Sequence, residues 1–227
     1  MTRTDGRKPD QLREMEAKVG VIPRADGSAM FKIGNTIAYA AVYGPRALHP
    51  KFLQNPERGV LRCNYNMLSF SGKGNRVRPG PSRRSREISM LTEKALRPVL
   101  DLKAYPNAVI DVFVELLQTD AGTRCAGICA AAMALADAGI PMKDLISALS
   151  VGYEKDKLLI DINSDEDCGG ATDIPLAIMP LTGKITLLQL DGDVNVKQLQ
   201  EAVKAAKKGC MEIYKVQQKA LKEKYGG

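Results

Sequence analysis

Apolar residues occur in short runs separated by glycine, proline and polar residues over much of the chain, a pattern typical of β-strands. Turn-forming pairs at Asp26-Gly27, Gly34-Asn35 and Thr182-Gly183 connect several of these runs. Strands are therefore predicted over 37–44, 60–70, 108–118, 145–154, 157–163, 174–180 and 184–192. The fourth of them is expected to be partly helical at its start.

Three segments instead repeat apolar residues at intervals of three and four, the spacing of one helix face. This spacing predicts helices over 82–100, with Ser82 as the N-cap, over about 124–138, and over about 196–225. The order of strands and helices indicates one α/β (α+β) domain over 1–227, built from two similar halves. Residues 1–13 are polar and charged, so a loosely ordered start is expected.

The composition is that of an ordinary soluble globular protein, with 44% hydrophobic and 26% charged residues. No apolar run approaches the length of a membrane span, and the amino terminus lacks the apolar core of a secretory signal. The five cysteines have no zinc-ligand spacing and are expected to be free thiols. These features together predict a cytoplasmic protein without a membrane partner.

The net charge of +7 favours polyanionic partners without establishing one. The distribution of charge is more informative, because residues 76–86 are rich in arginine and contain no acid, whereas residues 161–173 are acidic and contain no base. A basic and an acidic segment in one small protein suggest a site that handles phosphates beside carboxylates. Neither a Walker motif nor G-x-G-x-x-G is present.

The predicted start of the second helix carries Gly122, Thr123 and Arg124. Unpaired N–H groups and the positive end of the helix dipole bind anions there, and glycine lets an anion approach the backbone closely. An arginine at this end is electrostatically unfavourable unless an anion is present.

Arg83 and Arg84 repeat this unusual placement in the first turn of the helix that follows Ser82. A phosphate shared by the two helix starts would explain both placements. The alternative is that the arginines pair with local carboxylates such as Asp120 or Glu87, and the spacing alone leaves it open.

Two aspartates, Asp167 and Asp173, flank a Cys-Gly-Gly-Ala-Thr segment just before a predicted strand. Carboxyl groups beside a phosphate can protonate a leaving oxygen or hold a divalent metal. A solvated acidic turn is the alternative. Arg62, Arg76 and Arg78 are candidates for contact with a nucleic-acid backbone, and each is equally compatible with simple solvation.

Four long motifs in the chain resemble the RNase PH family: RPGPSRRSREI, LLQTDAGTRCAGICAAAMALADAGIPMKDL, DEDCGGATDIPLAIMP and ITLLQLDG. The early DGRKPDQLREM, ADGSA and AVYGPRALHP are most similar to the phosphorolytic, catalytic subunits of the archaeal exosome. The resemblance covers about 5–225. It implies an RNase PH-type fold of two βαβα-like halves, with mixed sheets and packed helices.

The resemblance also implies 3′-to-5′ phosphorolysis of single-stranded RNA, in which inorganic phosphate attacks the last phosphodiester and releases a nucleoside diphosphate, reversibly. It implies a hexameric ring with a paralogous non-catalytic subunit, and RNA-binding cap subunits. Two alternatives stay open, a homohexameric enzyme that trims transfer-RNA 3′ ends and a non-catalytic ring subunit that only binds RNA.

Site residues follow from the resemblance position by position. Phosphate-binding roles fall on Gly122, Thr123, Arg124 and Arg84, and RNA contact falls on Arg83 and Arg84. Catalytic roles fall on Asp167 and Asp173, with Asp167 favoured as general acid or as support for Mg²⁺ held by the pair. Many relatives have serine where this chain has Gly127, and the resemblance implies a phosphate site that relies more on backbone donors.

Overall fold

The computed structural model of the protein describes residues 3–73 and 76–226. Nine strands are formed by these residues: β1 Met15–Val19, β2 Gly27–Ile33, β3 Thr36–Ala47, β4 Val60–Met67, β5 Ala108–Gln118, β6 Ser147–Glu154, β7 Lys157–Ile160, β8 Ile174–Met179 and β9 Lys184–Leu188. The same residues form four α-helices: α1 Arg83–Leu96, α2 Thr123–Asp137, α3 Ser164–Cys168 and α4 Val196–Tyr225. The predicted α/β fold with mixed sheets and packed helices is confirmed.

The strands form two sheets. In the first, of order β1-β2-β3-β5-β4, neighbours run antiparallel except for the parallel pair β4 and β5. The second, of order β7-β6-β8-β9, is antiparallel throughout. The parallel pair brings the carboxyl ends of β4 and β5 to the same edge, so the loops that lead into α1 and α2 leave from that edge.

Helix α2 packs against strands of both sheets and is buried along almost its whole length. Its run of alanines suits this position, since small side chains let a sheet approach from either side. At Gly27 of β2 the approach leaves no room for a side chain, since a Cβ atom there would lie 2.2 Å from the backbone nitrogen of Ala138, which follows α2 directly. A single hydrophobic cluster includes residues of both sheets and of α2.

Most predicted elements are found close to their expected positions. The strand over 108–118, the helix over 196–225 and the N-cap at Ser82 are confirmed, and Ser82 forms a capping box with Ser85. The predicted helical start of the 145–154 strand is wrong, because β6 begins at Ser147 with no helix before it. No helix in the described ranges combines the length and apolar character needed to cross a membrane.

The acidic segment, for which a solvated turn was the alternative, contains the short helix α3. Asn163 accepts a hydrogen bond from the backbone N–H of Glu166, and the Glu166 carboxylate accepts one from the N–H of Asn163. This capping box, together with three acids in the first turn, stabilises a helix start. Asp167 is therefore held on a helix.

The cysteines of the described residues are free, and four of the five are buried. Cys125 and Cys129 lie on α2 as small core residues. Burial raises the pKa of the Cys129 thiol to about 12, so this thiol is neutral and unreactive at neutral pH.

Candidate active site

A cavity of about 140 Å³ lies where the starts of α1 and α2 meet the second sheet. We call it the central cavity. The residues that line it are Met67, Arg84, Thr119, Ala121, Gly122, Thr123, Arg124, Cys125, Ser150, Ser164, Asp173 and Pro175. Five residues that the sequence nominated for phosphate binding or catalysis are therefore brought together: Arg84, Gly122, Thr123, Arg124 and Asp173.

The turn before α2 has an unusual backbone. Ala121 and Gly122 both adopt the left-handed conformation, with φ of 56° and 62°. Buried polar groups hold this turn, since Arg13 donates to the carbonyl of Asp120 and the Thr36 hydroxyl donates to the carbonyl of Ala121 at 2.8 Å. Backbone in the left-handed region costs free energy for alanine, and such strain is typical of ligand-binding turns.

The start of α2 has no side-chain cap, because its N-cap residue is Gly122. The first N–H groups of the helix consequently lack a side-chain acceptor, and the residues that carry them line the central cavity. An anion there would accept hydrogen bonds from these groups and interact favourably with the helix dipole. In contrast, α1, α3 and α4 all have side-chain caps.

Neither arginine of the central cavity is neutralised by a local carboxylate. Arg124 donates to the neutral amide oxygen of Gln189, and Arg84 forms no salt bridge with any other residue in 3–73 or 76–226. The alternative in which Asp120 or Glu87 pairs with these arginines therefore finds no support. Both positive charges remain available to an anion.

The two aspartates occupy different environments. Asp173 lines the cavity and accepts a hydrogen bond from the Ser150 hydroxyl, whereas Asp167 is exposed on α3. Burial raises the pKa of the Asp173 carboxyl, and the negative charges of Asp167 and Asp191 raise it further. The hydrogen bond from Ser150 and the positive charge of Arg124 lower this pKa and so oppose the rise. Asp167 is not among the residues that line the central cavity, and its charge acts on Asp173 from outside it. We call Asp167 and Asp173 together the carboxyl pair.

Asp173→Asn is expected to increase the free energy of unfolding at pH 7. A carboxyl whose pKa is raised in the native state stabilises the fold only while it is protonated, and this contribution is lost as pH rises through the native pKa. The amide keeps an acceptor for Ser150 and carries no buried charge. Urea unfolding of both proteins at pH 7 and at stepwise lower pH should show a difference that shrinks toward acid; a variant less stable than wild type at pH 7 would contradict the expectation.

Helix α3 is fixed by the amino-terminal segment. The guanidinium of Arg3 bonds both carboxylate oxygens of Glu166, at 2.7 and 2.6 Å, with both side chains buried. Asn163, the N-cap, donates to Thr4 and Asp5. A larger cavity of about 400 Å³ borders this segment, but Arg3 and Glu166 in its wall already neutralise each other. The expectation of a loosely ordered start falls partly on residues 1–2, which lie outside the described residues.

A second buried network joins α3 to the turn before α2. Arg13 bonds the carboxylate of Asp161 through two nitrogens, at 2.9 and 2.7 Å. Asp120 accepts a hydrogen bond from the backbone N–H of Ser164, the first residue of α3, at 3.1 Å. The turn that precedes the phosphate-binding candidates and the helix that carries Asp167 are therefore connected by buried polar groups.

The remaining arginine candidates lie outside the central cavity. Arg62 on β4 is bonded to the buried carboxylate of Asp111 at 2.6 and 2.9 Å, which also accepts from Arg46. Its guanidinium is half-exposed. The other three are exposed: Arg76, Arg78 and Arg83.

Gly127 faces the core rather than the central cavity. A Cβ atom there would lie 3.0 Å from a methyl carbon of Val114 and 3.6 Å from the ring of Tyr65. A side chain at this position would meet packed apolar groups, and Gly127 is not among the residues that line the cavity.

The sequence of this chain matches two family models in succession. Residues 11–141 match domain 1 of the 3′ exoribonuclease family (RNase PH), and residues 144–209 match domain 2. The division falls between α2 and β6, so the central cavity combines residues from both regions.

Similar proteins carry consistent names. The exosome complex component Rrp41 of Methanopyrus kandleri is 55% identical over 99% of this chain and 94% of its own length. Rrp41 of Pyrococcus furiosus is 52% identical over 98% of this chain and 89% of its own length. The crystal structure of rice Rrp46 superposes with a TM-score of 0.82 at 25% identity, covering 95% of this chain and 98% of that one.

Proposed function

The chain belongs to the RNase PH family of 3′ exoribonucleases, and from this we propose that it is a phosphorolytic subunit of an exosome-type ring. Its substrates are single-stranded RNA and inorganic phosphate, and its products are a nucleoside diphosphate and an RNA one nucleotide shorter. The observation that carries the proposal is the uncapped start of α2 beside Arg84, Arg124 and Asp173 in one cavity.

The geometry addresses the main obstacle to the reaction, which is that phosphate and the phosphodiester are both anions. Two unit charges about 4 Å apart repel by roughly 4 kcal/mol at an effective dielectric constant near 20. Arg84, Arg124 and the N–H groups of the Gly122–Thr123 start supply positive potential in the same place. They would bring the two anions together and stabilise the charge that develops on the phosphorus in the transition state.

In the step itself, an oxygen of the bound phosphate attacks the terminal phosphorus while the bond to the O3′ of the preceding nucleotide breaks. The shortened RNA must gain a proton on that oxygen. The carboxyl pair is the proposed source of assistance: the pKa of Asp173 is raised, so it retains a proton to higher pH than a solvated aspartate, and the charge of Asp167 contributes to this rise. Product release leaves the new phosphoanhydride in the nucleoside diphosphate.

Mg²⁺ is compatible with the same pair. Oxygen ligands suit this ion, which commonly takes only one or two carboxylates from the protein and completes its shell with water and substrate phosphates. The described residues contain no cluster of three acidic, histidine or cysteine side chains that could hold a metal, so Asp167 and Asp173 would hold it together with the substrate. When bound, it would neutralise charge on the departing O3′.

RNA contact is proposed for the arginines that lie outside the central cavity. Three of them are exposed: Arg76 and Arg78, which precede α1, and Arg83, its first residue. The fourth, Arg62, is held by its hydrogen bonds to Asp111. Contacts of this kind bind phosphates and carry little base information, so no strong sequence preference is expected.

The test is degradation of poly(A) by the purified chain, alone and with the paralogous RNase PH-like subunit of the same organism. We expect ADP to be released only when inorganic phosphate is present, and activity to require the partner. AMP released without phosphate would indicate hydrolysis, and RNA binding without turnover would indicate a non-catalytic ring subunit. An active homohexamer of the chain alone would favour the transfer-RNA trimming alternative.

A further inference from the structure

The Tyr65 hydroxyl, on β4, is a buried polar group that the proposed mechanism does not use. Tyr65 is 4% exposed, and its hydroxyl oxygen is buried without a hydrogen-bond partner among the described residues. A buried polar atom without a partner is costly, and natural proteins seldom keep one that serves no purpose. The residues around this hydroxyl therefore indicate what function it serves.

Tyr65 lies between the starts of α1 and α2. Its backbone N–H donates to the hydroxyl of Ser89 on α1 at 2.8 Å, and its ring packs against α2 at Gly127. Thr123 lies one helical turn before Gly127, so the two residues share the face of α2 against which the Tyr65 ring packs. Burial raises the pKa of Tyr65, opposed by the Thr123 hydroxyl and by the charges of Arg84 and Arg124.

The phenol cannot touch an anion in the central cavity directly, since its oxygen is covered. Thr123 can, because it lines the cavity. A hydroxyl has one proton to donate and rotates to suit its acceptors. If the phenol donates to Oγ1 of Thr123, the proton of Thr123 is left to donate toward the cavity.

We propose that Tyr65 is a positioning residue of the anion site: when phosphate binds, the Tyr65 O–H donates to Thr123 and thereby turns the Thr123 hydroxyl toward the phosphate. This inference rests on the proposed function for the identity of the anion. It assigns no contact between Tyr65 and substrate. It requires that the phenol hydroxyl contribute to phosphate binding and not to the stability of the anion-free fold.

Tyr65→Phe tests this requirement, because it removes the hydroxyl and keeps the ring. Without phosphate, the variant should melt at the same temperature as wild type or higher, since a buried hydroxyl without a partner is lost. Its stabilisation by added phosphate should be weaker, and the phosphate KM should rise about fivefold with RNA affinity and kcat nearly unchanged.

The matched control is Tyr153→Phe. Tyr153 is equally buried, but its hydroxyl donates to the carbonyl of Gln198 at 3.0 Å. This variant should lose thermal stability and keep the phosphate response of wild type. A Tyr65→Phe protein that behaves like Tyr153→Phe would show that the phenol is structural and would overturn the proposal.

A double-mutant cycle with Thr123→Val tests the route of the effect. If Tyr65 acts through Thr123, Tyr65→Phe should have no further effect on phosphate binding in the Thr123→Val protein; additive losses would overturn the proposal. Phosphate titration by thermal melting measures this in the full chain without any turnover. Absence of phosphorolysis in the wild-type protein would count against the proposed function. Normal wild-type activity together with an unchanged phosphate response in Tyr65→Phe would count only against the role proposed for Tyr65.

Discussion

Asp167→Ala should abolish phosphorolysis while leaving RNA binding intact. Loss of a group that assists a leaving oxygen, by proton or by metal, lowers turnover by roughly 10²–10⁴-fold. The side chain is exposed, and none of the described residues bonds to it, so the fold should not change. RNA affinity should stay the same or rise slightly, because the substitution removes a negative charge near a polyanion. Single-turnover kinetics and equilibrium RNA binding measure the two quantities separately.

Asp165→Ala is the control for this prediction. Asp165 lies on the same short helix, is also exposed, and its removal changes the net charge equally. Neither aspartate lines the central cavity, but the charge of Asp167 acts on the Asp173 carboxyl, whereas Asp165 is not among the groups that shift its pKa. The Asp165 variant should therefore retain turnover. Equal loss of turnover and RNA binding in Asp167→Ala would contradict a chemical role, as would an equal defect in Asp165→Ala.

Elements with strong local signals were predictable from the sequence. Helix α4 was placed correctly at both ends because its apolar stripe runs for 30 residues and its start has a local cap at Asn195. The start of α2 was located to within one residue, since glycine and threonine separate an apolar strand from an alanine run. The grouping of Arg84 with the Gly122–Arg124 start was also predictable, because both helices carry arginine in their first turn.

Helix α3 was missed although its signal is present. Asn163 and Glu166 stand at capping-box spacing, but a five-residue helix has too few positions to show a 3.6-residue period. The acidic residues of this segment were consequently treated alike, with no distinction between buried and exposed ones. In the structure, Glu166 is a buried partner of Arg3, whereas Asp167 is exposed.

Contacts between distant parts of the chain could not be predicted in the same way. Ser150 bonds Asp173, Gln189 bonds Arg124, and Arg13 supports the turn before α2, and in each case the partners are joined only by tertiary packing. The packing of Gly127 against Tyr65 is of the same kind. Position 127 follows the turn closely in sequence, but the helical rotation directs it toward the core.

Arg124→Ala should raise the phosphate concentration required for half-maximal activity by about 30- to 100-fold, the usual loss for a charge-assisted hydrogen bond. Arg124→Lys should fall between this variant and wild type, since lysine keeps the charge without the planar fork. Arg24→Ala removes the same charge from an exposed turn and should behave as wild type. An unchanged phosphate requirement in Arg124→Ala would remove Arg124 from the site.

The same substitution should also shift the dependence of activity on pH. Burial already raises the pKa of Asp173, and the charge of Arg124 opposes that rise. Without Arg124 the carboxyl holds its proton to still higher pH, because one favourable interaction of its charged form is lost. If the protonated acid assists the leaving oxygen, the alkaline limb of the profile moves to higher pH. If the ionised pair supports Mg²⁺, the acidic limb moves to higher pH instead. The pH profile of kcat at saturating phosphate thus separates the two roles of the carboxyl pair, and Arg124→Lys, which keeps the charge, should move neither limb.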